Sequence, residues 1–369
     1  MFFNIVFVNY CKKNINAFKL INHQKNHKMV QTSLQQAEYR QDLGDEMHFE
    51  AFSLDPNIND EGLAGIVNDL ANKPKPNQEL VDAVIRKGSV RWIGDIELNI
   101  ARNPDGNVKH YEVPAPLREY RKALGESLDA KAKINPNIFN GPVIVAEGEI
   151  KNPLRVMQGD YYDFSATKLN ASPGDLVPMH YKQGKTVEQV LADAGLGPET
   201  RERYFGLAHL MWPSNGQQFL LVQRAKGMGI AADCLATPGS TPDIVLDKPG
   251  LGKPGFGIRE YWSYHIAEEM KDEFALKWGD FWIDGIGLYD DLKTVPFGAI
   301  NIYSEMSVKQ IAQGIYNAKP AVRDRVLTEH NIVFSVPTEA VPKFLERFPV
   351  FYSLYTPIKD ALKEKGISK

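Results

Sequence analysis

The spacing of apolar residues predicts a chain of interleaved strands and helices. Segments that alternate every second position, or stay apolar between turn residues, predict strands at 141–150, 204–212, 217–225, 281–291, 295–307 and 331–337. Segments with apolar residues three and four positions apart predict helices at 79–88, 116–132, 185–197, 259–276 and 307–318, and another near the C-terminus. This order of elements indicates an α/β or α+β protein.

Turn residues mark the boundaries between these elements. The segment 91–113 alternates on both sides of "NPDG" (103–106), which predicts a β-hairpin. The turn Pro213–Gly216 joins two further predicted strands. Residues 236–257 are too rich in glycine and proline to form a regular element.

The chain divides into three predicted regions. Residues 1–28 contain five lysines and no acid or arginine, so we interpret them as a non-structural extension upstream of Met29. Organelle targeting by this segment is the alternative. Residues 29–200 then form an N-terminal α+β region, and the pattern changes character from about residue 201 to the C-terminus at 369.

Composition narrows the class of protein. The 369-residue chain is 43% hydrophobic and 24% charged, values typical of a soluble globular protein, and no apolar run reaches the roughly 18 residues that cross a bilayer. A formal net charge of -3 argues against a general nucleic-acid binder, which usually carries a basic excess. Cys11 and Cys234 are too few for a disulfide framework, so we expect a reducing, cytoplasmic location.

One short stretch concentrates acidic side chains on a predicted helix. It is "HIAEEMKDEFAL", residues 265–276, and its acids are Glu268, Glu269, Asp272 and Glu273. At about 100° per residue these acids fill one arc, beside an apolar face of Ile266, Met270 and Phe274. Like charges at this spacing repel by a few tenths of a kcal/mol per pair. Either the arc is the solvated side of an ordinary helix, or it holds a hard divalent cation such as Mg²⁺.

The elements around this helix resemble those of the Nudix hydrolases. Strand "FLLVQR", loops "ATPGS" and "PGFG", and the acidic helix follow one another, as in the family motif G-x5-E-x7-R-E-U-x-E-E-x-G-U, where U is aliphatic. The matching positions are Glu260, Glu269, Met270, Asp272, Glu273 and Leu276. The resemblance covers about residues 204–345. It implies an α/β/α sandwich with a mixed sheet at 201–369, preceded by an N-terminal α+β extension or domain.

Three features depart from the motif. Glu268 stands where the family has an arginine that helps to orient the ligating carboxylates. Ala275 replaces the motif glycine. A long insertion separates Glu260 from Gly239, the glycine of the "TPGS" turn, whereas Gly255 misses the required spacing by one. These departures leave open whether the chain has kept the family's catalysis.

The resemblance implies a metal site with Mg²⁺ or Mn²⁺ as cofactor. In Nudix enzymes the helix carboxylates hold such ions, which neutralise a diphosphate and activate water. Carried over by position, Glu269, Asp272 and Glu273 are the ligands, and Glu260 ligates or braces. The expected catalytic residues are Glu269, Glu273 and Glu305, the last of which follows a late strand, where many family members place a glutamate.

Two basic residues are expected to bind the substrate. Arg224 ends a predicted strand and could contact a phosphate through two parallel hydrogen bonds, and Lys226 could add a point charge. Structural ion pairs are the alternative for both residues.

The resulting hypothesis is a Nudix-type pyrophosphohydrolase, a metal-dependent enzyme that hydrolyses a diphosphate linkage in a nucleoside diphosphate conjugate or another organic diphosphate. We expect a small-molecule diphosphate as its partner, with no nucleic acid and no membrane. Nudix enzymes often dimerise, so a homodimer stays open. Two alternatives remain: a Nudix-fold binding or scaffold protein without catalysis, and a Nudix-fold enzyme with a different reaction on a diphosphate.

Overall fold

A computed structural model describes residues 36–44, 47–92, 94–133, 140–167, 184–225, 234–240, 242, 257–292 and 295–367. Its strands are β1 Glu38–Gly44, β2 Met47–Ser53, β3 Ile85–Arg91, β4 Leu98–Ile100, β5 Pro142–Ala146, β6 Leu154–Asp160, β7 Gly206–Trp212, β8 Gln218–Arg224, β9 Leu235–Ala236, β10 Gly239–Ser240, β11 Phe281–Asp291, β12 Pro296–Ser304 and β13 His330–Pro337. Its helices are α1 Asp60–Ala71, α2 Gln78–Val84, α3 Arg118–Ala132, α4 Tyr161–Thr167, α5 Val187–Asp193, α6 Ile258–Phe274, α7 Val308–Tyr316, α8 Pro320–Glu329, α9 Val341–Arg347 and α10 Tyr355–Glu364.

A mixed sheet lies at the centre of the described residues. Its strands run in the order β1-β2-β13-β8-β7-β12-β11-β3, with β9 paired to β8 and β10 paired to β7. β7 and β12 are parallel, whereas β13 is antiparallel to both of its neighbours. A smaller sheet has the order β4-β6-β5. The mixed α+β class predicted from the sequence is therefore confirmed.

Helices cover both faces of the central sheet. Along β7, Leu207 and Met211 pack in one apolar core with residues of α6 and α7. The alternate residues Leu210 and Trp212 pack in a second core with residues of α1, α9 and α10. Successive side chains of a strand point to opposite faces, so two cores on alternate positions mean two helical layers. The result is an α/β/α sandwich.

The N-terminal region contributes strands to the same sheet as the C-terminal half. β2 pairs with β13, which extends the sheet at one end, and β3 pairs with β11 at the other. The predicted boundary at residue 200 is therefore not a boundary of this sheet. The predicted extension at 1–28 lies outside the described residues. None of the helices in the described ranges is both long and apolar enough to cross a membrane.

Two local predictions differ from the structure. The helix predicted at 79–88 ends at Val84, because residues from Ile85 onward pair with β11. The turn predicted at 103–106 forms, closed by a bridge between Arg102 and Val108. The arm before it, β4, pairs in parallel with β6, however. In both places pairing with a distant strand overrides the local pattern.

Helix α6 ends in a left-handed residue at the position of the missing motif glycine. Ala275 has φ 55°, and the Leu276 N–H donates to the Met270 carbonyl oxygen at 3.1 Å. Met270 and Leu276 are both buried, which completes a common helix-ending motif. The left-handed conformation is strained for any residue that has a Cβ atom.

A buried acid lies outside α6, just before β7. Glu202 is fully buried, and neither of its carboxylate oxygens has a hydrogen-bond partner within the described residues. Burial, then the negative charges of Asp163 and Asp160, raise its pKa well above the ordinary 4.5, whereas Arg121 opposes this shift. Arg121 itself pairs with both aspartates, at 2.6 and 2.8 Å. Glu202 therefore keeps its proton in the folded protein well above pH 4.5.

We predict that Ala275→Gly raises the free energy of unfolding by about 0.5–1 kcal/mol, because glycine relieves the left-handed strain at some cost in chain entropy. Urea denaturation measures this change. The matched control is Ala267→Gly in the interior of the same helix, which should cost about 1 kcal/mol. An equal loss of stability in both variants would contradict the explanation.

We also predict that Glu202→Gln stabilises the protein increasingly as the pH rises. A raised pKa in the folded state contributes stability that is complete below the unfolded-state pKa and is lost as the pH rises through the folded-state pKa, at about 1.4 kcal/mol per pH unit between the two. Glutamine cannot ionise, so it escapes this loss. Thermal melts from pH 4 to pH 9 measure the difference, with exposed Glu199→Gln as control. A difference that stays constant with pH would contradict the assignment.

Candidate functional site

The candidate site lies where β7 and β8 separate beneath α6. These strands pair at Met211 and Leu220, and the short strands β9 and β10 then occupy the space between them. The polar side chains at this separation interact with those of α6. Arg224 of β8 interacts electrostatically with Glu273, and His209 of β7 interacts electrostatically with His265.

Two acids of α6 lie one helical turn apart, one of them partly buried and the other almost fully buried. Glu269 has a side-chain exposure of 27%, and Glu273 of only 7%. Burial, then the charge of Glu273, raises the pKa of Glu269 to about 9. Burial, then the charge of Glu329, raises the pKa of Glu273 to about 8, against the pull of Arg224. The metal-free pair therefore keeps a proton at neutral pH.

A fully buried histidine of the central sheet contacts one member of this pair. The Nε2 atom of His330 lies 3.0 Å from Oε2 of Glu273, and its ring stacks on Phe274 with centroids 5.7 Å apart. The register of β13 shifts between His330 and Ile332, a bulge of the kind that turns a side chain toward the other face. Burial lowers the pKa of His330 to about 3, so its imidazole is neutral.

The third acid of the arc is held by an arginine of α8. Arg325 Nη2 lies 2.8 Å from Oδ2 of Asp272, and both side chains are partly exposed. Glu329, at the end of α8, lies 3.7 Å from Arg224. Three charged or polar residues around α6 therefore come from one segment: Arg325 and Glu329 of α8, and His330, the first residue of β13.

Two more histidines border the site. His209 is fully buried, with Nε2 at 3.2 Å from Oγ of Ser240, and burial lowers its pKa to about 3. His265 Nε2 lies 3.8 Å from Oε1 of Glu269, one helical turn away. His265 therefore lies beside Glu269, whereas His330 contacts Glu273.

The structure brings together only some of the residues expected from the sequence. Glu269, Glu273 and Arg224 belong to the buried cluster, and Asp272 lies at its edge. Glu260, Glu268 and Glu305 are exposed, so they are not part of that cluster. Lys226 lies outside the described residues. Within the residues that are described, no group of three or more His, Cys, Asp or Glu side chains is arranged to hold a metal ion.

Sequence analysis missed His330, Arg325, Glu329 and His209. The first three belong to the run "RVLTEH", which stands immediately before the apolar strand "NIVFSV". A histidine and charged residues at a helix–strand junction form a weak signal, because most such residues are solvated. His209 sits in the otherwise apolar strand "GLAHLMW", and a lone polar residue in a fully buried strand was the stronger clue.

Comparison with known proteins gives little further information. No protein-family model and no curated protein matches the chain. Among solved structures, a MutT protein from Methanosarcina mazei Go1 is similar at a TM-score of 0.29 and 16% identity, over 44% of this chain and 95% of that one. The protein DR0079 from Deinococcus radiodurans has a TM-score of 0.28 and 9% identity, over 42% and 81%. At these TM-scores neither similarity carries an argument about this chain.

We predict that Glu269→Gln raises the free energy of unfolding of the metal-free protein at pH 7, by on the order of 1–2 kcal/mol. Glutamine has the shape of the neutral acid and cannot repel Glu273. Because the pKa of Glu269 is raised to about 9, the advantage of glutamine should grow from about pH 4.5 toward pH 9. Denaturant unfolding in the presence of a chelator measures it.

The neighbouring exposed acid provides the control for this prediction. Glu268→Gln changes the same helix by the same chemistry at an exposed position, and surface changes of this kind usually stay within about 0.5 kcal/mol. If the two variants shifted the unfolding free energy equally, the strain assigned to the Glu269–Glu273 pair would be wrong.

Proposed function

We propose that this protein is a divalent-metal-dependent enzyme of the Nudix type that hydrolyses a diphosphate linkage in a small organic molecule. The observation that carries the proposal is the pair Glu269 and Glu273, two acids one turn apart on α6 with only 27% and 7% of their side chains exposed. Two like-charged groups in a desolvated site raise the free energy of the folded protein, so such a pair is typical of a functional site. The positions of α6 that match the Nudix motif support the assignment to that family.

The donor set fits a hard divalent cation that is only partly held by protein. Mg²⁺ takes oxygen ligands and is usually bound through one or two carboxylates, together with water and substrate phosphates. Glu269 and Glu273 would provide those carboxylates. A cation would also offset the burial and the nearby negative charges that raise their pKa values. When bound, such an ion neutralises phosphate oxygens and lowers the pKa of a coordinated water.

The remaining residues have supporting roles in this proposal. Arg224 is 14% exposed and only loosely paired with Glu329 at 3.7 Å, so its guanidinium is available for a substrate phosphate. Asp272 faces Arg325, which leaves it at most a water-mediated contact with the ion. Glu260 and Glu305, both exposed, would need to approach the pair when substrate binds.

Binding without catalysis is the second candidate, and specific contacts favour it. His330 occupies one oxygen of Glu273, and Arg325 occupies Asp272. A protein that no longer used a metal would be expected to satisfy its acids internally in this way. A different reaction on a diphosphate, with Glu269 as a proton donor, remains a third option.

Metal binding and hydrolysis together test the proposal. We expect millimolar Mg²⁺ or Mn²⁺ to raise the melting temperature of the wild type, since a ligand at 100 times its Kd adds about 2.7 kcal/mol. We also expect metal-dependent hydrolysis of at least one member of a panel of nucleotide sugars, dinucleotides and prenyl diphosphates. Glu269→Gln and Glu273→Gln should reduce both effects, with a rate loss on the order of a hundredfold or more.

An exposed acid of the same helix provides the control. Glu268→Gln should retain both the melting shift and the rate. A wild type that shows no metal-dependent shift, and no more hydrolysis than the double variant Glu269→Gln, Glu273→Gln, would remove the enzyme proposal and favour the binding protein.

A further inference from the structure

The carboxylates of α6 need an orienting group that the helix itself does not supply. A glutamate side chain has several rotatable bonds, so a metal ligand is usually fixed by a hydrogen bond from a neighbouring residue. In the motif that the helix resembles, an arginine at the position of Glu268 helps to do this. Here that position carries an exposed acid, which cannot orient another carboxylate.

A segment 57 residues away from Glu273 provides the missing contact. His330 reaches Glu273 at 3.0 Å, and its side chain is fully buried, with 7% exposure for its partner. Five residues earlier, Arg325 reaches Asp272 at 2.8 Å. α8 and β13 are continuous at Glu329 and His330, so one helix–strand junction contacts two successive acids of α6.

The direction of the hydrogen bond follows from the charge that Glu273 carries as a metal ligand. An ionised carboxylate can only accept hydrogen bonds, so the 3.0 Å contact requires a proton on Nε2 of the neutral imidazole. His330 therefore donates from Nε2 to Oε2 of Glu273. The bulge in β13 and the stacking on Phe274 fix the ring in this orientation.

We propose that His330 is a positioning residue for Glu273 and takes over the role of the arginine that Glu268 replaces. The proposal rests on the proposed metal-dependent function. By holding Oε2, the Nε2–H group fixes the rotamer of Glu273 and leaves the other carboxylate oxygen to face a cation. Arg325 restricts the orientation of the Asp272 carboxylate in the same way, at the more exposed end of the arc.

Two amide substitutions separate the hydrogen bond from the shape of the ring. The amide nitrogen of glutamine reaches about as far from the backbone as Nε2 of histidine, whereas that of asparagine reaches only as far as Nδ1. His330→Gln can therefore keep the donor to Glu273, and His330→Asn cannot. The dissociation constant for Mn²⁺ is measured by electron paramagnetic resonance of the free ion, on the full chain without substrate.

The expected result is a difference between the two variants. Loss of an outer-shell partner typically weakens metal binding by about 10- to 100-fold, so we expect that loss for His330→Asn and a much smaller one for His330→Gln. His110→Asn, at an exposed histidine on another part of the chain, should bind Mn²⁺ like the wild type. Melting curves without metal establish that each variant is folded.

Each other outcome overturns a definite part of the account. If His330→Asn binds Mn²⁺ as tightly as the wild type, or if both amides weaken binding equally, His330 does not position Glu273 through a hydrogen bond. In those cases the proposed function stands and this inference fails. If the wild type does not bind Mn²⁺, the proposed function fails, and the role of His330 falls with it.

Discussion

The burial of two glutamates on one turn of α6 is the constraint on which the site depends. Burial raises the pKa of Glu269 to about 9 and that of Glu273 to about 8, and the negative charges of Glu273 and of Glu329, respectively, add to these shifts. The arrangement persists because the same helix buries a large apolar face, including Trp262, Met270 and Phe274, against the sheet. Packing of that face stabilises the helix enough to hold the acids in a desolvated position.

The surroundings of the acids come from segments that are far apart in the chain. β7 supplies His209, β8 supplies Arg224, and the junction of α8 and β13 supplies Arg325, Glu329 and His330. The separation of β7 from β8 matters because it brings polar side chains to the middle of an otherwise apolar sheet face. The N-terminal strands β1 to β3 complete this sheet at both ends, so the site rests on the whole described fold rather than on its C-terminal half alone.

The sequence predicted the helix and strands that form the site better than the side-chain contacts within it. The bounds of α6 agree to within about two residues, because its helical period is clear and Gly257 stands directly before its first residue. At about 100° per residue, Glu269 and Glu273 lie nearer the apolar face of Ile266, Met270 and Phe274 than Glu268 does, and these two acids are less exposed than Glu268. No pattern indicated that His330 would contact Glu273, since that contact depends on a bulge in a distant strand. The sequence also did not predict that β3 belongs to the central sheet, because its pairing partner β11 lies some two hundred residues away.

The central claim is that Glu269 and Glu273 together hold a divalent ion, and its most direct test is crystallographic. Crystals soaked in Mn²⁺ allow the ion to be located by its anomalous scattering. The account predicts a peak within ligand distance, about 2 Å, of a carboxylate oxygen from each glutamate. An anomalous map with no peak at this pair in saturating Mn²⁺ would contradict it.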